Sequence, residues 1–253
     1  MPATTFLFNC LSDNFGVLLH DPQSGATASI DAPEAAAVEA ALSKNGWKLT
    51  HILVTHHHHD HTAGVADLKL KHKCRVIGPR SDKFRGIDET VGEGDRVKIG
   101  ALSGRVIETP GHTLDHICYI FDDAGIAFVG DTLFSVGCGR VIEGTMAQMW
   151  HSLLKLRALS DDMAFHCGHE YTQANIKFAL TIEPDNADLK ERAKEVDALR
   201  TAGKPTLPST IGAEKKTNCF LRADVPSVAA SVGLAGRSAE EVFAEIRNRK
   251  NKF

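Results

Sequence analysis

Thr55-His56-His57-His58-His59-Asp60-His61 follows directly on the apolar run Ile52-Leu53-Val54, and this stretch decides the fold. Residues 49–55 are apolar and β-branched, which predicts a buried strand, and a helical pattern begins near Thr62. The ligand-type residues therefore fall in a strand-to-helix loop. Imidazole is a borderline ligand and carboxylate a hard one, so a His/Asp mixture without thiolate suits zinc, iron or manganese in a hydrolytic or oxygen-chemistry site, not a structural zinc finger. The run is internal and ends in Asp-His, unlike an affinity tag. A solvated polar loop gives no reason for four consecutive histidines at the mouth of a strand. Loop side chains cannot all converge, so alternate positions are the better candidates: His56 and His58, with Asp60 and His61 facing a second position and His57 and His59 as bystanders.

The spacing His56-x-His58-x-Asp60-His61 resembles the signature of the metallo-β-lactamase superfamily, which spans many chemistries. Three further donors stand beside glycines at strand ends: His112 after Gly111, Asp131 after Gly130 and His169 after Gly168. A lone histidine in such a place is ordinarily a hydrogen-bonded bystander, but the three in this order match the superfamily's binuclear pattern. The resemblance implies that His56, His58 and His112 hold one divalent metal, that Asp60, His61 and His169 hold a second, and that Asp131 bridges them. Zinc is the expected metal, with iron or manganese as alternatives. The implied fold is α/β, a four-layer αβ/βα sandwich. His116, His151 and His166 match no ligand position and are expected to be structural or exposed.

At 253 residues, 43% hydrophobic and 24% charged, the chain has ordinary globular composition and can bury a substantial core. A net charge of −3 argues against nucleic-acid or membrane-surface partners. Six scattered cysteines without a Cys-x-x-Cys pair read as buried, reduced thiols. No basic-then-apolar leader occupies residues 1–20, and no apolar run is long enough to span a bilayer. The expectation is a soluble, cytoplasmic monomer.

Strands are predicted at 5–9, 15–20, 28–31, 75–78, 96–99, 103–108, 117–121 and 127–129, with helices at 34–44, 65–72 and 145–159. This order suggests two sheets packed between helix layers. After Tyr171 the pattern turns helical, at 172–181, 186–202 and 238–251, with a Pro-bearing segment at 204–209. The expected division is a catalytic domain, 1–170, and an α-helical substrate-binding domain, 171–253.

Gly137-Cys-Gly-Arg140, Glu143-Gly-Thr145, Cys167-Gly-His-Glu-Tyr-Thr172, Thr217-Asn218, Phe220-Leu-Arg222 and Arg247-x-x-Lys250-x-x-Phe253 together resemble the hydroxyacylglutathione hydrolase (glyoxalase II) family over essentially the whole length. The resemblance implies hydrolysis of S-(2-hydroxyacyl)glutathione, with S-D-lactoylglutathione the physiological case. The products are glutathione and D-lactate, in the second step of methylglyoxal detoxification. Asp60 and Asp131 would orient the attacking hydroxide and accept its proton, and Arg140, Tyr171, Arg247 and Lys250 would bind the glutathione part. Cations and a phenol suit a ligand that carries two carboxylates. Ile142 stands where the family commonly has a tyrosine, and Cys219 replaces a proline and reads as packing. The alternatives are a persulfide dioxygenase on the same fold, a hydrolase of another thiol conjugate, and a binding protein without turnover. The complete second set of ligands speaks against the dioxygenase and the idle binder.

Overall fold

The computed structural model describes residues 3–253; Met1 and Pro2, which begin both the expected catalytic domain and the stretch read for a leader, lie outside them. The backbone divides into two units, Met1–Glu108 with Asp115–Gly130, and Thr109–Leu114 with Asp131–Phe253.

In the first unit β1 (Thr4–Cys10), β2 (Asn14–His20) and β3 (Thr27–Ile30) run antiparallel in succession. Helix α1 (Ala35–Asn45) returns the chain so that β4 (His51–Leu53) lies parallel to β3. The helical turn α2 (His59–Thr62) and α3 (Val65–His72) repeat the manoeuvre for β5 (Arg75–Pro79), which pairs in parallel with β6 (Glu89–Val91). An antiparallel meander follows: β7 (Arg96–Ile99), β8 (Leu102–Glu108), β9 (Ile117–Phe121) and β10 (Ile126–Gly130).

Strand alternation sorts the core of this unit into two layers. Val17, Leu19, Ala28, Ile30, Leu53 and Ile77 face the meander and pack on Val97, Ile99, Val106, Tyr119, Phe121 and Phe128. Their neighbours Leu18, Ile52, Val54 and Val76 point the other way, onto Val38, Ala41 and Leu42 of α1 and Val65 and Leu68 of α3. Burial on both faces is why β2 and the run before the histidines read as continuous apolar stretches rather than alternating ones. The Tyr119 hydroxyl, fully buried, donates to the Val54 carbonyl at 2.7 Å and ties the meander to the strand that delivers the histidines. Helix α1 stops at Gly46, whose φ of 68° puts it in the left-handed region, with Trp47 N–H reaching the Leu42 carbonyl.

In the second unit β11 (Leu133–Phe134) and β12 (Gly137–Cys138) make a short hairpin, followed by α4 (Met146–Arg157), whose start is fixed by a Thr145/Gln148 capping box. Then come β13 (Ala164–Cys167), α5 (Thr172–Ile182) and α6 (Ala187–Thr201), the last capped by Asn186. Strand β14 (Ser209–Thr210) pairs antiparallel with β13, and α7 (Ile211–Thr217), α8 (Pro226–Ser231) and α9 (Ala239–Lys252) complete the chain. Phe178, Phe220 and Phe243 link α5 to α9 through ring contacts at 5.9 and 6.2 Å.

Two expectations need adjustment. Of residues 49–55 only His51–Leu53 form a strand; Val54 N–H still reaches the Ile77 carbonyl, and the regular pairing is lost by Thr55, whose amide bonds to a carboxylate, Asp31 Oδ1. The histidine stretch is also not wholly a loop, since Asp60 and His61 sit on the helical turn α2. All six cysteines are buried free thiols, as expected. Among the described residues no helix is long and apolar enough to cross a membrane.

Burial holds the His166 imidazole of β13 at a pKa of about 4, below its ordinary 6.5. Between those values the unfolded chain binds a proton that the folded chain refuses. The stability this contributes is full above pH 6.5 and is lost as the pH falls to 4. Over that range, wild-type unfolding free energy should fall by on the order of 3 kcal/mol more than that of His166→Gln, measured by urea denaturation. Parallel pH profiles would contradict the assignment.

Candidate metal centre and substrate cavity

Asp31 ends β3 with a φ of 54° and is 4% exposed. Aspartate tolerates the left-handed region better than most residues, and here the conformation delivers its carboxylate to two neighbours. Oδ1 accepts the Thr55 amide at 2.7 Å; Oδ2 accepts the Thr55 hydroxyl at 2.8 Å and His61 Nδ1–H at 2.7 Å. This turns Nε2 toward Asp60 Oδ2, 3.6 Å away. Asp60 is itself oriented by Asn14, whose side-chain amide donates to Asp60 Oδ2 at 3.0 Å. His56 Nε2 and His58 Nδ1 lie 3.1 Å apart. Ligand atoms of His56 and His61, and of Asp60 and His61, lie within 4.8 Å of each other.

The second unit brings together His112, Asp131 and His169. His112 Nδ1–H donates to the Arg140 carbonyl at 2.8 Å, which turns its Nε2 toward Asp131 Oδ2, 3.4 Å away. His169 Nε2 lies 3.3 Å from that same oxygen. Where Nδ1–H is engaged elsewhere, the ring turns Nε2 toward a carboxylate oxygen, a nitrogen and oxygen donor pair of the kind that holds a divalent cation. The arrangement occurs at His61/Asp60 and again at His112/Asp131, so these donors fit divalent cations. The second nitrogen of each ring is fixed by a carboxylate or a carbonyl, a support typical of metal-binding histidines.

Glycine is required before two of these donors. At Gly130 (φ 47°) a Cβ would meet His116 Nε2 and Thr55 Oγ1 at 2.6 and 2.8 Å, and at Gly111 (φ 152°) it would meet Met149 at 2.7 Å.

Next to this trio lies a cavity of about 480 Å³ lined by His112, Asp131, Phe134, Cys138, Arg140, Ile142, Tyr171, Ala174, Asn175, Arg247 and Lys250. All four residues expected to contact glutathione are in it. Tyr171 stacks flat on His169, with centroids 4.7 Å apart and planes within 3°. Arg247 is 6% exposed, donates to the Cys138 carbonyl at 2.9 Å and lies over the Phe220 ring. Lys250 donates to the Ala174 carbonyl at 3.1 Å, and burial together with Arg247 pulls its ammonium below the ordinary lysine value. Among the described residues no carboxylate pairs with Arg140, Arg247 or Lys250. A nearly buried guanidinium bonded to neutral oxygens, those of Cys138 and Asn251, keeps its charge available to an anionic group. Ile142 stands exposed at the cavity wall.

Several contacts were not foreseen. Asp31 lacks the neighbouring glycine by which the other strand-end donors stand out, and Asn14 lies 46 residues from Asp60 in sequence. His57 pairs with Asp115 at 2.9 Å, and His116 is buried and stacks on His56 with centroids 4.9 Å apart. His151 bonds its own helix, at the Ala147 carbonyl. Cys219 is fully buried and its thiol pKa is pushed up by that burial, consistent with packing.

Residues 16–169 match the family model described as Metallo-beta-lactamase superfamily, and residues 170–253 the one described as Hydroxyacylglutathione hydrolase C-terminus. A curated protein of Rhodopseudomonas palustris (strain BisB5), named hydroxyacylglutathione hydrolase, is 64% identical over 253 residues, 99% of each chain. The chain belongs to the hydroxyacylglutathione hydrolase family. Among solved structures, ETHE1 from Myxococcus xanthus matches with a TM-score of 0.69 at 26% identity, covering 99% of this chain and 92% of that one. TTHA1623 in a di-iron-bound form matches with a TM-score of 0.61 at 20% identity, covering 87% of this chain and 99% of that one. This hydroxyacylglutathione hydrolase family member thus has the metallo-β-lactamase fold, mixed sheets flanked by helices, with the additional C-terminal helical region.

Asp31→Asn keeps a residue that tolerates positive φ but places an amide where His61 Nδ1–H needs an acceptor. Affinity for zinc, titrated against a competing chelator, should fall about 10–100-fold with an unchanged circular dichroism spectrum. Wild-type affinity would remove Asp31 from the support of the centre.

Proposed function

We propose that the chain hydrolyses S-(2-hydroxyacyl)glutathione, with S-D-lactoylglutathione the physiological substrate, to glutathione and a 2-hydroxy acid. The observation that carries this reading is the cavity in which Arg140, Arg247 and Lys250, none paired with a carboxylate among the described residues, stand with Tyr171 beside His112 and Asp131. Glutathione presents two carboxylates, which such cations recognise.

In this reading His56, His58 and His112 would hold one divalent cation and Asp60, His61 and His169 a second, with Asp131 as a donor shared by both. Zinc is the preferred ion, with iron or manganese as alternatives. Bound divalent cations make hydroxide available near neutral pH and polarise a carbonyl oxygen. The residues supply the rest. Asp60, oriented by Asn14, and Asp131, whose Oδ2 lies 3.4 Å from His112 Nε2 and 3.3 Å from His169 Nε2, would accept hydrogen bonds from the nucleophile and take up its proton as the carbonyl carbon becomes tetrahedral. Arg247 and Lys250 fix the glutathione end, so that the thioester carbon lies at the His112–Asp131 side of the cavity. A thiolate leaves as the anion, which removes the need for a general acid. We take residues 1–170 as the catalytic portion and 171–253 as the substrate-binding portion of an enzyme that would act in the cytoplasm as a monomer.

Zinc-loaded protein should turn over S-D-lactoylglutathione rapidly and an S-lactoyl conjugate of an uncharged thiol poorly. Equal rates on both, or none on the first, would refute the reading. Arg247→Ala with Lys250→Ala should raise KM about tenfold or more at nearly constant kcat, whereas unchanged KM with lowered kcat would show that these cations do not hold the bound substrate.

A further inference from the structure

The two-residue turn between β11 and β12 is held by side chains that the chemistry above does not use. Glu214 of α7 is fully buried; its Oε2 accepts the Val136 amide at 2.7 Å and Asn218 Nδ2 at 3.0 Å, and its Oε1 accepts the Ser209 hydroxyl at 2.7 Å. Asn218 Nδ2 also donates to the carbonyls of Gly137 at 2.9 Å and Phe134 at 3.3 Å, and Asn175 of α5 donates to that of Ser135 at 3.2 Å. Val136 itself has a φ of 56°, in the left-handed region that a β-branched residue avoids. A hairpin with two residues per strand cannot impose that conformation through its own ladder. The neighbouring helices do, by gripping one amide and three carbonyls of the turn.

This turn sets much of the cavity. Phe134 and Cys138 lie on the hairpin and line the cavity, and Arg140 follows two residues later. The Cys138 carbonyl is the acceptor that holds the Arg247 guanidinium.

We propose that Glu214, through its hold on the Val136 amide, is a positioning residue for the substrate cavity, fixing the turn that places Phe134, Cys138 and Arg140 and, through the Cys138 carbonyl, Arg247. The identity of the ligand rests on the thioester-hydrolase reading; the hold on the turn does not.

Glu214→Leu removes the acceptor at similar size. Glu214→Gln keeps an oxygen for Val136 and Asn218 and turns its NH2 toward the Ser209 hydroxyl oxygen, which can accept it. For Glu214→Leu, KM for S-D-lactoylglutathione should rise about tenfold with kcat within about twofold, and amide hydrogen exchange across residues 133–138 should accelerate. Glu214→Gln should stay within about twofold of wild type in all three. Adding Val136→Gly to Glu214→Leu should bring KM back toward wild type, because glycine adopts the left-handed region without strain. A carboxylate serving only fold stability predicts a lower melting temperature with unchanged KM and unchanged exchange in 133–138, and that result would overturn the proposal. So would a Glu214→Gln variant as impaired as Glu214→Leu. Should Glu214→Leu not fold, Asn218→Ser, which releases two carbonyls of the turn, should show the same KM rise and faster exchange; wild-type values there would count against the proposal. If wild-type protein turns over no thioester, the thioester-hydrolase reading fails, and the exchange difference between the Leu and Gln variants still decides the role of Glu214.

Discussion

The carboxylate of Asp31 is the contact on which the histidine-bearing region depends. It takes the Thr55 amide out of the sheet just past the end of β4, and by accepting His61 Nδ1–H it turns Nε2 toward Asp60. A strand stop and a ring orientation follow from one buried group. The backbone conformation that allows this, a positive φ at Asp31, costs some strain, and such strain gathers where geometry matters for chemistry. The same economy recurs at His112, whose Nδ1–H is held by the Arg140 carbonyl while the Arg140 side chain lines the cavity.

Charge organises the other half of the chemistry. Arg247 is nearly buried, pinned by the Cys138 carbonyl and the Phe220 ring, and Lys250 is held against the Ala174 carbonyl and the Phe178 ring. Cations held in this way, and unpaired with a carboxylate among the described residues, lose little further freedom when an anion arrives, which favours binding. The acidic overall balance of the chain, −3, makes this local concentration of positive charge more selective, since it belongs to the cavity and not to a general basic surface.

Much of this was legible in the sequence because it is written in local patterns. The histidine run after an apolar strand, the glycine-flanked donors at 112, 131 and 169, and the helical period of 238–251 are all readable without knowledge of contacts. What escaped was nonlocal or too short to carry a period. Asp31 supports His61 from 30 residues away, and Asp115 meets His57 from 58 residues away. The β11–β12 hairpin has two residues per strand, and its turn places a valine where turn chemistry calls for glycine or asparagine. Helices α7 and α8, of seven and six residues, show too few turns for an apolar stripe to stand out.

The most direct test is to strip the protein of metal with a chelator, add zinc back stepwise, and follow bound equivalents together with hydrolysis of S-D-lactoylglutathione. A rate that disappears on stripping and returns in full only as about two equivalents per chain bind would agree with a two-metal hydrolytic centre. Full turnover by metal-free protein, or a rate already complete at one equivalent, would contradict it.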